Sequence, residues 1–202
     1  MNSTHSTNAQ YRAARSSDSR PRRECFWQPT RARAKALVVT GEAVQKLEQV
    51  HPTAALGSSD DIGATKSFVR TIRAEVDRYE ARHDGVMRVT ALATFAGQEV
   101  GAQFAPEAMF LHGGVDDDVS HVFTLDPDAG TLENRYAAEG SGRQIAYGVL
   151  DAEATTTPTM AETRRIACRV VGSAAERDGL IGIGVYVAAS GPYSPWPTSM
   201  VP

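Results

Sequence analysis

Two helical patterns joined by a very short connection constrain this chain more than any other feature. In residues 58–83 the apolar side chains Ile62, Val69, Ile72, Val76 and Tyr79 are spaced seven, three, four and three apart, which stacks them on one face of an α-helix. Ser58 with Asp61 resembles a capping box at its start, Asp60 and Asp61 suit the positive end of the helix dipole, and Gly85 is placed to stop it. Residues 89–100 repeat the pattern with Leu92, Ala96 and Val100. Only residues 84–88 lie between, so the two helices are expected to fold back as an antiparallel αα-hairpin.

The rest of the chain arranges itself around that hairpin. Upstream, the β-branched run Leu37-Val38-Val39 ends at Gly41, Val44, Leu47 and Val50 precede the His51-Pro52 break, and residues 53–56 make another short run ending at Gly57. These read as brief strands and turns. Downstream the period changes to two. Residues 108–111 form an apolar run ending at Gly113-Gly114, Val119, His121, Phe123 and Leu125 alternate with Ser120, Val122 and Thr124, and Asp126-Pro127-Asp128-Ala129-Gly130 turns into a further strand over 131–138. The expectation is a three-strand meander. Gly140-Ser141-Gly142 opens a helix through Leu150, and Thr159 with Glu162 caps another that carries Ile166, Val170 and Ala174 toward Asp178. Residues 181–189 read as a buried strand. The order β, αα, βββ, αα, β predicts an α+β fold with paired helices segregated from antiparallel strands.

Charge separates this region from the N-terminal segment. Residues 1–36 hold eight basic groups and two acids, whereas the 202-residue chain as a whole holds 21 and 24. The remainder is therefore acidic, with 13 bases and 22 acids. The sequence divides into a basic, disordered arm over 1–36, a folded domain over 37–189 and a Pro-rich tail over 190–202. The arm could neutralise phosphates, but no groove-reading element accompanies it and the acidic remainder argues against nucleic acid as the main partner. The longest uncharged apolar-dominated run, residues 180–189, is half of what a membrane helix needs, and no charged-then-apolar leader opens the chain, so a cytoplasmic protein without a membrane partner is expected. Cys25 and Cys168 are too few for a disulfide framework or a four-cysteine zinc site. His51, His83, His112 and His121 lack metal-ligand spacing, Asp116-Asp117-Asp118 reads as an acidic hairpin turn, Cys168 reads as a small core hydrophobe, and no cofactor motif occurs.

In this order the residues resemble a proteasome β-type subunit of archaeal style. The resemblance spans about Val44 to Val187. It is carried by Ala43-Val44-Gln45-Lys46-Leu47, Gly57-Ser58-Ser59-Asp60-Asp61, Arg73-Ala74-Glu75, Val89-Thr90-Ala91-Leu92-Ala93-Thr94, Ala175-Glu176-Arg177-Asp178 and, most specifically, Leu125-Asp126-Pro127, Tyr136-Ala137-Ala138-Glu139-Gly140-Ser141-Gly142 and Ala146-Tyr147-Gly148-Val149-Leu150. It implies the four-layer αββα sandwich of N-terminal-nucleophile hydrolases, here expected without its first hairpin and last strands. It also implies stacked rings shared with α- and β-type subunits, unfolded polypeptide as substrate, and no cofactor.

Such proteins attack peptide bonds with the hydroxyl of an N-terminal threonine, which needs a base and a cation to make it nucleophilic. Carried over by position, the resemblance makes Lys46 the cation and Ser141 and Asp178 the groups supporting the terminal amine. Gly57 becomes the backbone donor to the oxyanion. It also exposes departures. The threonine position falls on Ala14, the aspartate that would hold the lysine falls on Thr30, and a supporting serine after Asp178 is replaced by Ile181. The expected function is thus a β-like subunit of the 20S core particle, in protein degradation, with impaired catalysis. The alternatives are an active threonine-type endopeptidase if the true N-terminus differs, and a nucleic-acid-binding module using the Arg-rich arm.

Overall fold

A computed structural model describes residues 8–12, 24–30, 33–35, 38–41, 46–58, 62–106, 108–117, 119–128, 130–154, 159–177, 184–190 and 198–201. The helical hairpin is present as α1 (Ile62–His83) and α2 (Val89–Gln103). Phe68, Val69, Ile72 and Val76 of α1 and Leu92, Ala96 and Val100 of α2 are buried in one core, as the spacing requires. The left-handed residue that ends α1 is Asp84 (φ 47°), one position before the expected Gly85. Aspartate tolerates this region because its short polar side chain can bond locally. Ser58 closes a strand, its hydroxyl 2.9 Å from the Thr65 hydroxyl, and Asp60 and Asp61 of the expected cap lie outside the described residues.

Beneath this hairpin lies a five-stranded antiparallel sheet in sequential order, β5 (Leu47–His51), β6 (Ala54–Ser58), β7 (Phe110–Asp116), β8 (Val119–Asp126) and β9 (Gly130–Asn134). Strand β7 runs on through Gly113-Gly114, where an end was expected, because both glycines are paired with β6 and β8. Alternation sends neighbouring side chains to opposite faces. Phe110, Phe123 and Leu125 join the core with the helices, whereas Leu111 and Val122 form a separate cluster with Ala137.

Ala137 belongs to a second sheet. The stretch expected as a single strand over 131–138 breaks at Arg135 into β9 and β10 (Tyr136–Glu139), and β10 leaves the meander. The reason is burial: Leu132 and Glu133 face solvent while Ala137, Ala138 and Glu139 are enclosed, which one strand on one sheet edge cannot satisfy. The second sheet has the order β10, β1 (Asn8–Arg12), β2 (Glu24–Thr30), β11 (Gly184–Ser190) and β12 (Thr198–Val201). A small separate ladder joins β3 (Arg33–Lys35) to β4 (Val38–Gly41).

These strands correct the expectation that the first hairpin and last strands are missing. β1 and β2 pair antiparallel within the segment read as an arm, and β12 lies in the segment read as a tail. Both segments lack hydrophobic periodicity, so their strands are specified by neighbours, β10 and β11, from distant sequence. The prolines of residues 191–197 lie outside the described residues.

Helices α3 (Arg143–Glu153) and α4 (Met160–Ala175) pack together and on the second sheet, around Ala138, Ala146, Leu150, Ile166, Ala167 and Val170. Strands β1, β2 and β10 pack in turn on β5, β7 and β8. The result is the four-layer order helices, sheet, sheet, helices.

Candidate active site

Lys46 immediately precedes β5 and is buried, 3% exposed. Its carbonyl accepts the Ser58 N–H at 3.2 Å, and the neighbouring register places Leu47 opposite Gly57. The structure therefore brings Lys46 and Gly57 to one end of the same ladder. Gly57 also faces Leu111 on its other side, so it sits within the sheet, five residues before α1 begins.

Ser141 comes from the opposing sheet. It is exposed in the turn between β10 and α3, which Gly140 enters at φ 110°, a conformation open to glycine and costly for a side chain. Arg143 N–H closes the turn on the Gly140 carbonyl at 3.1 Å. Asp178, Ala14 and Ile181 lie outside the described residues; Thr30 ends β2, paired with Gly184.

Glu139 is the residue that the sequence reading passed over. It precedes the Ser141 turn, is 4% exposed, and lies 3.4 Å from Arg143 Nη1 across that turn. Burial pushes its carboxyl above the usual carboxylate range, with Arg143 pulling the other way. It is also the register partner of Asn8, so strand β1 begins beside this turn. The signal available was its parity: Glu139 is two residues beyond the apolar Ala137, on the same strand face, where a charged residue is out of place.

The other singled-out residues serve the fold. His51 Nε2 meets Glu80 Oε1 at 3.1 Å while its Nδ1 accepts the Thr53 N–H at 3.2 Å. Asp117 pairs with Arg88 at 3.0 Å, Asp118 lies outside the described residues, and Cys168 is half-buried on α4. Among the described residues no group of three or more histidine, cysteine or acidic side chains is arranged to hold a metal. Among them, too, no helix is long and apolar enough to cross a membrane.

Comparison with known proteins agrees with this architecture. Residues 29–189 match the family model described as proteasome subunit. The chain is 43% identical over 152 residues to a proteasome subunit beta 2 of Haloterrigena turkmenica, covering 75% of this chain and 64% of that relative. It is 41% identical over 158 residues to a proteasome subunit beta of Halobacterium salinarum, covering 78% and 65%. It is 42% identical over 152 residues to a proteasome subunit beta 2 of Haloarcula marismortui, covering 74% and 65%. The matched part thus spans less than two thirds of each relative's length.

Proposed function

Because the chain belongs to the proteasome subunit family, among its β-type members, we propose that it is a β-like subunit of the 20S core particle, acting in cytoplasmic protein degradation. In this reading it is built into stacked rings with α- and β-type subunits, enclosing a chamber that receives unfolded polypeptide. Its contribution is structural, with peptide-bond cleavage impaired. The observation that carries the reading is the extent of the family match: residues 29–189 include both helical hairpins and every strand of the β5–β9 sheet. Impairment is supported by the sequence departures at the three family positions, Ala14, Thr30 and Ile181.

One observation favours a catalytic reading instead. Strand β1 starts opposite Glu139, two residues from Ser141, so a nucleophile at the head of that strand would act beside Ser141, with Lys46, Gly57 and Asp178 in the roles the resemblance implies. Co-expression with an α-type subunit, followed by native mass spectrometry and a fluorogenic peptide assay, separates the two. The structural reading expects incorporation into a ring-sized particle without turnover that a threonine-directed inhibitor blocks. A chain that never incorporates overturns the ring assignment, and inhibitor-sensitive turnover abolished by Lys46→Ala overturns the impairment.

A further inference from the structure

We propose that His112 makes the α1–α2 layer an acid-released latch, whose protonation frees the two helices from the β5–β9 sheet while the α3–α4 layer stays in place. The proposal is independent of the ring and cleavage readings above.

His112 stands in the middle of β7, between Leu56 on β6 and Phe123 on β8. It shares the face of Phe110, which is packed in the core under α1 and α2. The ring is fully buried, and neither nitrogen makes a well-formed hydrogen bond, although the backbone at Val89 and Ala55 acts on the ring. Buried polar atoms are nearly always satisfied, so two on one ring mark a site held neutral at a cost. Its ring lies 6.2 Å from that of Phe123, which is 5.9 Å from His121 in turn, giving a ladder of three stacked rings.

The groups around it make a charge there unwelcome. From β5 comes His51, whose Nε2 is engaged with Glu80 of α1. From β8 comes His121, which meets Glu133 of β9 at 3.0 Å and Asp116 of β7 at 3.9 Å. The start of α2 comes near it at the apolar Val89, and Arg88 before it pairs with Asp117. Exposed His83 at the end of α1 stacks on Tyr79. His51 and His121 each have a carboxylate beside them, whereas no carboxylate is among the groups that act on His112, and the two histidines disfavour a charge there. Burial lowers its pKa to about 4, and the backbone at Val89 and Ala55 offsets only part of this.

The sign follows directly. A histidine whose pKa is lower in the closed state is protonated by the open state first, so closure weakens as pH falls from about 6.5 toward 4. At about pH 4.5 the closing equilibrium of α1–α2 is expected to have lost roughly 50-fold relative to neutral pH. The α3–α4 layer carries no histidine over residues 143–175. Its core is a separate cluster, and the buried carboxyl at its edge, Glu139, favours its protonated form. Acid therefore acts on the α1–α2 layer through a buried group that the α3–α4 layer lacks.

Hydrogen exchange of the full chain, followed by mass spectrometry and corrected for intrinsic rates, tests this at about pH 7 and about pH 4.5. The expected result is protection in residues 62–103 falling at least tenfold more than in residues 143–175, with the difference abolished in His112→Leu. Equal loss in both layers, or an undiminished difference in His112→Leu, overturns the proposal. Should that variant fail to fold, imidazole C2-proton exchange in the unaltered protein gives the titration midpoint of His112. A midpoint well below about 6.5 supports the latch, and one at or above it overturns the latch.

Discussion

The Asp116 carboxylate at the end of β7 accepts the backbone N–H of Val89 at 2.8 Å, and so caps a helix whose own preceding residue, Arg88, provides no side-chain cap. The second carboxylate oxygen lies 3.4 Å from the Thr90 nitrogen. An unpaired helix start is satisfied here by a strand 26 residues downstream of Thr90 in the chain, which also fastens the hairpin to the sheet. Asp116→Ala is expected to lower stability by about 1–2 kcal/mol, and Asp116→Asn by less, because the amide oxygen still accepts while the charge at the helix dipole is lost. Urea unfolding of both variants measures the difference.

Gly97 on α2 lies so close to β9 that a Cβ there would stand 2.0 Å from Thr131 Oγ1. The threonine cannot swing aside freely, since its hydroxyl donates to the Ala93 carbonyl at 3.3 Å. Gly97→Ala should therefore destabilise by about 1–3 kcal/mol despite alanine's better helix propensity. Adding Thr131→Ala should recover part of that loss, a non-additivity that a double-mutant cycle in denaturant reads directly.

At the start of α4, Thr159 Oγ1 accepts the Glu162 N–H while the Glu162 carboxylate accepts the Thr159 N–H at 2.7 Å. These bonds hold the Glu162 carboxyl below the usual carboxylate range. Thr159→Ala is expected to cost about 1 kcal/mol. Because the Glu162 pKa is depressed on folding, the cap's pH-dependent contribution is present above the ordinary glutamate pKa and fades as pH drops through the folded value. Circular dichroism melts across an acid series should show the deficit of Thr159→Ala narrowing at low pH without closing, because the Glu162 N–H bond to the threonine hydroxyl does not titrate.

Glu139 obeys the reverse rule. Its carboxyl is pushed up by burial, so the stability linked to its protonated form is complete below the ordinary glutamate pKa and is lost as pH rises through the folded value. Glu139→Gln should leave stability at neutral pH unchanged or improved, since the Arg143 partner is half exposed and its ion pair is screened. Arg143→Met should act in the opposite direction by leaving a buried carboxylate without its nearest cation. Denaturant midpoints measured from acid to neutral pH distinguish the two.

The helices were legible because their signals are local. Val69, Ile72 and Val76 share a face by spacing alone, and the Thr159–Glu162 box needs only four consecutive residues. The alternation of Val122, Phe123 and Leu125 marked a strand for the same reason. The candidate site was legible only as a set of positions, Lys46, Gly57, Ser141 and Asp178; the buried Glu139 beside Ser141 emerged from the register of β10 against β1.

The amino-acid order alone determined which segments are amphipathic, where α4 begins, and that two helical hairpins flank a block of strands. Tertiary structure decided that β10 leaves its hairpin neighbour for the other sheet, that β1, β2 and β12 pair at all, that Asp116 caps α2, and that His112 is sealed from water. The division follows the range of the forces. Periodicity and capping act within a few residues, whereas ladder hydrogen bonds and burial are conferred by partners brought together only when the layers close.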